Sequence, residues 1–405
     1  MIELVAEHGY NAVSVEKLTS RARVSKRDFY KLFAGKEECF LAAYDTIVGR
    51  SARGVIAAAE GEEDWRERLR LGFLAFAGQL AGNPEAARLA LVDPFAAGAV
   101  AVERMQRTNR LFEALLEKNL ALAGDAPRLP PLVVRGIVAG TSRLARARLL
   151  CGSPGLVLDG NELQRWALSF GDEDAVRLRG LGPAAVPPSP EAAPAMPLGD
   201  ERALILAATA KLASKEGYAT LTVPRLRAAA GVSRRSFDAH FESVADCFLA
   251  TLEALSDRTL AAAAPLYLTA GDWASGVHRM VADLCRHLAR DSTLTCLAFR
   301  EVFSPAPEAI QWRSEMIAKL ATRLRQGAPP AHRPGELAAE ASIGAMWGVV
   351  EHFVASGRAS QLPAAAPALS YLALAPALGA AAAVDVIAAE YGGCARARRA
   401  PAGHR

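Results

Sequence analysis

The chain repeats itself. Sliding the 405-residue sequence over itself by 208 positions places Gly9-Tyr10 on Gly217-Tyr218, Val15 on Val223, Leu18 on Leu226 and Ala22 on Ala230. Val24-Ser25 falls on Val232-Ser233, and Arg27, Phe29 and Phe33 fall on Arg235, Phe237 and Phe241. Cys39-Phe40-Leu41-Ala42 falls on Cys247-Phe248-Leu249-Ala250. Without a gap, the same register pairs Asp64-Trp65 with Asp272-Trp273, Leu89-Ala90 with Leu297-Ala298, Phe95 with Phe303 and Gly136 with Gly344. A period this long is a whole folded unit rather than a turn of a solenoid. Between the copies, residues 182–199 read GPAAVPPSPEAAPAMPLG. Proline fixes φ and donates no hydrogen bond, so this stretch is expected to be a stiff solvated linker.

Both copies read as helix. Apolar residues recur three and four apart, as in Leu69, Phe73, Phe76 and Leu80, and no run of alternating β-branched residues suggests a sheet. The expected fold class is all-α. Hydrophobic residues make up 51% and charged residues 22%, which excludes global disorder. A net charge of +4 predicts nothing about nucleic acid, so a basic signal has to be local. The six cysteines, Cys39, Cys151, Cys247, Cys285, Cys296 and Cys394, show no CxxC spacing, which suits buried thiols in a reducing cytoplasm. No signal-peptide pattern opens the sequence, and the longest apolar run, 373–389, is broken by Pro376, Gly379 and Asp385. No membrane contact, metal or cofactor is expected. No catalytic constellation or phosphate loop points to an enzyme.

The local basic signal lies in residues 14–33, SVEKLTSRARVSKRDFYKLF. Ser14 can cap a short helix whose Val15 and Leu18 face inward, and a turn follows at 22–24. Ser25 then caps a second helix, with Asp28 three residues on in a capping-box pattern. Phe29 and Phe33 share one face, assigned to the core. Lys26 and Tyr30, and beside them Arg27 and Lys31, form an outward strip of three cations and a phenol. Two short helices joined by a tight turn are the helix-turn-helix plan, and such a strip suits a major groove.

The string GY-x-x-x-SV-x-x-L followed by VSKRDFYKLFAGKEECFLAAYD resembles the DNA-binding domain of TetR/AcrR-type regulators. The second copy, GYATLTVPRLRAAAGVSRRSFDAHFESVADCFLA, resembles the same pattern. The resemblance implies two fused TetR-like halves forming a pseudo-dimer within one chain, with further homodimerisation allowed. It implies an effector-controlled repressor whose partners are double-stranded DNA and an unknown small molecule. Carried over residue by residue, the DNA contacts fall on Ser14, Ser25, Lys26, Arg27, Tyr30, Lys31 and Lys36. In the second copy they fall on Thr222, Ser233, Arg234, Arg235, Ser236 and His240. The expected domains are helix-turn-helix 1–50, helical ligand and dimerisation domain 51–181, linker 182–199, second helix-turn-helix 200–257, second helical domain 258–393 and basic disordered tail 394–405.

Three departures separate the copies. Asp238 and Val244 replace the tyrosine and lysine of the pattern. Arg23 stands where the second copy has Gly231, a turn position that favours positive φ. Met1 corresponds to Thr209 while the second copy's first helix begins near Asp200, which points to a start codon upstream. Unequal heads predict a non-palindromic operator. The alternative is a duplicated sensor or interaction module that has lost DNA binding in one or both halves. An apolar set, Met280, Cys296, Phe299, Phe303, Met346, Trp347 and Phe353, is a candidate effector pocket, with plain core as its competing reading.

Overall fold

The computed structural model describes residues 1–122, 128–150, 158–171, 177–178, 181, 200–303 and 308–397, with only the backbone at 303 and 392–397. The described chain is all-α, and no strand occurs among the described residues. The linker 182–199 and Cys151 lie outside them. The interval expected to be a tail begins inside the last helix, which runs to Ala397.

The repeat is a repeat of helix starts. In the first half α1 spans Ile2–His8, α2 Val15–Ala22, α3 Lys26–Leu32, α4 Lys36–Ala58, α5 Trp65–Gly82 and α6 Pro84–Leu91. In the second, α11 spans Glu201–Glu216, α12 Val223–Ala230, α13 Arg234–His240, α14 Val244–Leu268, α15 Trp273–Arg290 and α16 Ser292–Phe299. Four side-chain caps recur at the 208-residue offset. Ser14, Ser25, Asp64 and Asn83 accept from backbone N–H groups at the starts of α2, α3, α5 and α6. Thr222, Ser233, Asp272 and Asp291 do so for α12, α13, α15 and α16. Each satisfies an otherwise orphaned donor, an effect of about 1 kcal/mol.

Each half continues with α7 (Pro94–Ala97), α8 (Ala99–Ala121), α9 (Pro131–Leu150) and α10 (Gly160–Leu168), against α17 (Glu308–Gly327), α18 (Glu336–Ala355) and α19 (Leu362–Leu378). Gly379, at φ 83°, ends α19 and starts α20 (Ala380–Ala397).

The halves meet where α9 lies against α18, flanked by α10 and α19. Glycine lets the two backbones approach. A Cβ on Gly140 would strike the Ala341 carbonyl, one on Gly348 would strike Ala139, and these glycines are repeat equivalents. Trp166 Nε1 donates to Ser342 Oγ at 3.0 Å and Tyr371 OH to the Phe170 carbonyl at 2.9 Å, both buried and both crossing between halves. Arg143 and Glu351 are themselves 208 apart and form a buried ion pair. So do Arg177 and Asp385 at the surface, 2.9 Å apart. Equivalent residues touching one another define a pseudo-twofold axis.

Candidate nucleic-acid interface and effector cavity

In each half two short helices stand on the start of a long one. Ser14 Oγ accepts from the Lys17 N–H at 3.2 Å. Ser25 Oγ accepts from the Asp28 N–H at 3.0 Å and donates to Asp28 Oδ2 at 2.7 Å. The capping serines therefore hold helix starts, and whatever touches DNA at these positions touches an already engaged hydroxyl. Arg23, between the helices, adopts the left-handed conformation at φ 56°, as Gly231 does at φ 70°.

On α3, Phe29 is buried while Lys26, Arg27, Tyr30 and Lys31 are exposed. Lys26 and Arg27 make no hydrogen bond or ion pair among the described residues, so both are available to a ligand. Lys31 is held by Asp28 at 2.7 Å, an exposed pair that also keeps the Asp28 carboxyl below its usual range. Lys36 is half-buried. Its Nζ donates to the Tyr10 carbonyl at 3.2 Å and sits 4.2 Å from the Tyr10 ring centroid. It therefore pins the start of α4 as well as offering charge.

The second head differs. Arg234, Arg235, Asp238 and His240 are exposed, but Arg234 Nε lies 3.3 Å from Asp238 Oδ2, one turn on. Thr222 and Ser233 serve as caps, and the His240 ring flanks Phe241 with centroids 6.3 Å apart. Ser236, expected to face DNA, is turned inward: it is buried and donates to Glu201 Oε2 at 2.6 Å. Its partner lies at the start of α11, which also carries Arg202 over the Phe241 ring at 5.5 Å. Phe33, expected in the core, is only half-buried, whereas Phe241 is buried.

A cavity of about 1430 Å³ lies in the first half, between α1–α2 and the bundle of α4, α5, α6, α8 and α9. Its wall is mainly apolar, with Leu69, Phe73, Phe76, Phe112, Leu116 and Ile137. Tyr44, which donates to Thr108 Oγ1 at 2.9 Å, and Thr141 add polar points. Met1, Ile2, Leu18 and Arg21 close the end nearest the reading head. None of the seven candidate pocket residues of the second half lines it. Phe299 and Phe353 are buried there, and the Phe299 and Trp347 rings pack 5.0 Å apart. Cys296, Met346 and Trp347 pack against the same core, Met280 is half-buried, and the Phe303 side chain lies outside the described residues. Phe299, Phe353, Cys296, Met346 and Trp347 therefore belong to the packed core of the second half, since large side chains fill a bundle instead of hollowing it. The thiols behave as core groups: burial pushes Cys247 up to about 11 and also raises Cys39, Cys285 and Cys296.

Paired short helices with a basic strip, set twice on a helical bundle, define a helix-turn-helix protein of duplicated build. Residues 2–43 and 205–251 each match the family described as bacterial regulatory proteins, tetR family. The two three-helix units belong to that family, and the chain carries them in tandem. The HTH-type transcriptional activator FasR of Mycolicibacterium smegmatis is similar, at 28% identity over 142 residues covering 34% of this chain. The match spans 63% of that relative's length, less than two thirds of it. Among solved structures, the fatty acid degradation regulator FadR from Bacillus halodurans aligns at 18% identity and a TM-score of 0.36, covering 44% of this chain and 95% of its own. No helix among the described residues is long and apolar enough to cross a membrane.

Proposed function

We propose that the chain is a DNA-binding transcriptional regulator, a single-chain counterpart of a symmetric dimer, whose first reading head answers to one largely apolar effector. The observation that carries this reading is the position of the cavity. In the second half, the head's buried residues Leu226, Phe237 and Phe248 belong to one continuous core with the helical domain. In the first, Leu18, Phe29 and Phe40 form a cluster with Leu89, Phe95 and Met105 of α6, α7 and α8, apart from the main core that holds Leu116 and Ile137. The cavity lies between that cluster and the main core. An occupant touching Leu18 and Arg21 on one side and Phe73 and Ile137 on the other couples the head's position to ligand binding.

The α3 strip carries free Lys26 and Arg27, while α13 has Arg234 held by Asp238 and Ser236 turned inward. Unequal heads favour an operator with one strongly and one weakly specified half-site, about one helical turn apart. Selection of duplexes from a random pool by the full chain tests this, followed by anisotropy titrations at several salt concentrations. The expected result is saturable, salt-steep binding to an asymmetric site. A strict palindrome with equally intolerant half-sites would overturn the asymmetry. Absence of saturable binding to any enriched duplex favours the alternative, an interaction module without DNA. A reporter driven from the selected site gives the sign of regulation, repression being the expected one.

A further inference from the structure

The apolar cavity of the first half has a polar floor. Asn109 on α8 and Ser142 on α9 both line it, and neither side chain makes a hydrogen bond among the described residues. The two helices run antiparallel there. Glu113 holds Arg135 at 2.8 Å on one side of this level, and Arg146 Nη2 lies 3.5 Å from Met105 Sδ on the other. Positions 109 and 142 fall between those contacts, so the amide and the hydroxyl stand close together on one wall. Three further hydroxyls line the same cavity: Tyr44, Thr108 and Thr141. Their protons are committed within the protein, Tyr44 to Thr108 Oγ1 at 2.9 Å, Thr108 to the Arg104 carbonyl at 3.2 Å and Thr141 to the Ile137 carbonyl at 2.9 Å. Their oxygens can still accept, whereas Asn109 and Ser142 hold the unused donors.

The repeat shows that both positions face inward. Their equivalents in the second half are Ile317 and Val350, and both are buried. At the same places the first half has an amide and a hydroxyl that no protein group satisfies. Polar groups turned into an apolar chamber lower stability unless something completes their hydrogen bonds. The charges along the wall decide what that partner can be. Arg21 is held by Glu3 and Glu7 at 2.9 and 2.8 Å. Arg68 donates to Asn119 Oδ1 at 2.7 Å and to the carbonyls of Glu62 and Glu63. Arg50, Arg53, Glu60 and Lys118 are exposed. Buried Arg146 does not line the cavity, and its Nε donates to the Leu91 carbonyl at 2.6 Å. Each cation of the wall is therefore engaged or in solvent. A carboxylate on the floor would lack a buried counter-ion, a cost that a neutral group avoids.

We propose that the effector is an apolar molecule carrying one neutral carbonyl group, a carboxamide or ketone, which Asn109 and Ser142 bind by donating to its oxygen. This rests on the reading of the cavity as the effector site. The α8 residues of the wall run from Met105 to Leu122, about 25 Å of helix at about 1.5 Å per residue. Ile56 and Leu122, late in α4 and α8, are exposed and belong to the same wall, so the apolar body extends from the floor towards solvent. The carbonyl end then lies beside Tyr44 and Met105, which share a core cluster with the reading head.

Displacement of a neutral fluorescent probe, N-phenyl-1-naphthylamine, from the full chain by decanamide and by decanoate near neutral pH tests the proposal. Decanamide should displace it, and decanoate should bind more weakly. Asn109→Ile with Ser142→Val installs the residues of the second half, and should weaken decanamide about tenfold while the probe's own affinity holds. Should that variant not fold, Ser142→Ala decides, with a several-fold loss of decanamide alone. Unchanged decanamide affinity in the folded variant overturns the proposal, since water then completes the floor. Decanoate binding as tightly as decanamide overturns it too. So does failure of decanamide to displace a bound probe, an outcome that leaves the cavity standing as an apolar effector site. A probe that does not bind at all removes both readings. DNA anisotropy with and without decanamide separates the two: floor-dependent binding with unchanged DNA affinity supports the recognition while overturning the coupling to the reading head.

Discussion

The two halves share a skeleton and differ in what fills it. Tyr44, Gly72, Thr108, Asn109, Thr141 and Ser142 line the cavity of the first half. At the same repeat positions the second half has Leu252, Met280, Met316, Ile317, Val349 and Val350. Glycine or polar groups in the first half give way to apolar ones in the second, larger at every position but Tyr44, and Phe299 stands where the first half has Leu91. Of the six, all but Met280 are buried in the second half. Duplication therefore kept the helix starts, the crossing of α9 on α18 and the heads, while the interiors diverged. The first half encloses a cavity, and the second half carries larger buried side chains at most of the same positions.

The sharpest way to break that comparison is at the axis itself. Arg143 and Glu351 occupy one repeat position, so a symmetric pairing would have set like charges against each other. Glu351→Arg places a fourth guanidinium among three buried ones, Arg143, Arg146 and Arg313, and removes the one buried carboxylate that faces them among the described residues. A loss of about 3–5 kcal/mol is expected, read as a fall in the urea midpoint. Combining it with Arg143→Glu should recover at least half of that loss, since the opposite charges are restored in exchanged order. A neutral Glu351→Arg would mean that the halves do not depend on this contact.

Filling the hollow half comes next. Gly72→Met with Thr108→Met gives the first half the residues of the second. A Cβ on Gly72 meets only Val55 Cγ1, at 3.5 Å, so the helix accepts it. Binding of an environment-sensitive apolar dye (anilinonaphthalene sulfonate) should weaken by about 2–3 kcal/mol, because overfilled space leaves no room for the guest. DNA affinity should stay as in the wild type. Undiminished dye binding would place the ligand site elsewhere.

The heads differ by a smaller margin. Arg27→Ala should weaken specific binding by about 1–3 kcal/mol and relax one operator position, whereas Arg235→Ala should do less. Asp238→Tyr with Val244→Lys should raise affinity and steepen the salt slope, by freeing Arg234 and adding a cation at the start of α14. Anisotropy on the selected duplex reads all three variants. Equal losses at Arg27 and Arg235 would make the heads equivalent.

Much of this was legible along the chain, and the reasons for the rest are physical. Caps, turns and the basic strip are local, decided within a few residues, so Ser25, Phe29 and Arg23 read correctly from spacing alone. Burial of Ser236 depends on Glu201, 35 residues earlier and on another helix, which no local pattern reveals. The cavity was harder still, being an absence of side chains shared among several helices. Size and polarisability singled out Met280, Phe299 and Trp347, the residues that close such a space. The signal that could have found it was the contrast between the copies: Thr108 against Met316, Thr141 against Val349. Arg143 opposite Glu351 was visible at the same offset.

The finest difference between the halves sits in the turn. Arg23 and Gly231 both close their helix in the left-handed region, at φ 56° and φ 70°. A side chain there brings its Cβ against the following carbonyl, at about 1–2 kcal/mol, whereas glycine meets no such contact. A Cβ on Gly231 has nothing within 4 Å, so space is not the issue and the backbone alone decides. Gly231→Arg should then lower stability by about 1 kcal/mol. Arg23→Gly should raise it by less than that, since glycine also loosens the unfolded chain. The exchange isolates the turn from every packing difference between the halves, because both positions are exposed. Chemical denaturation of each variant measures it. If Gly231→Arg is neutral, the left-handed turn is held by its surroundings, and Arg23 carries no strain to relieve.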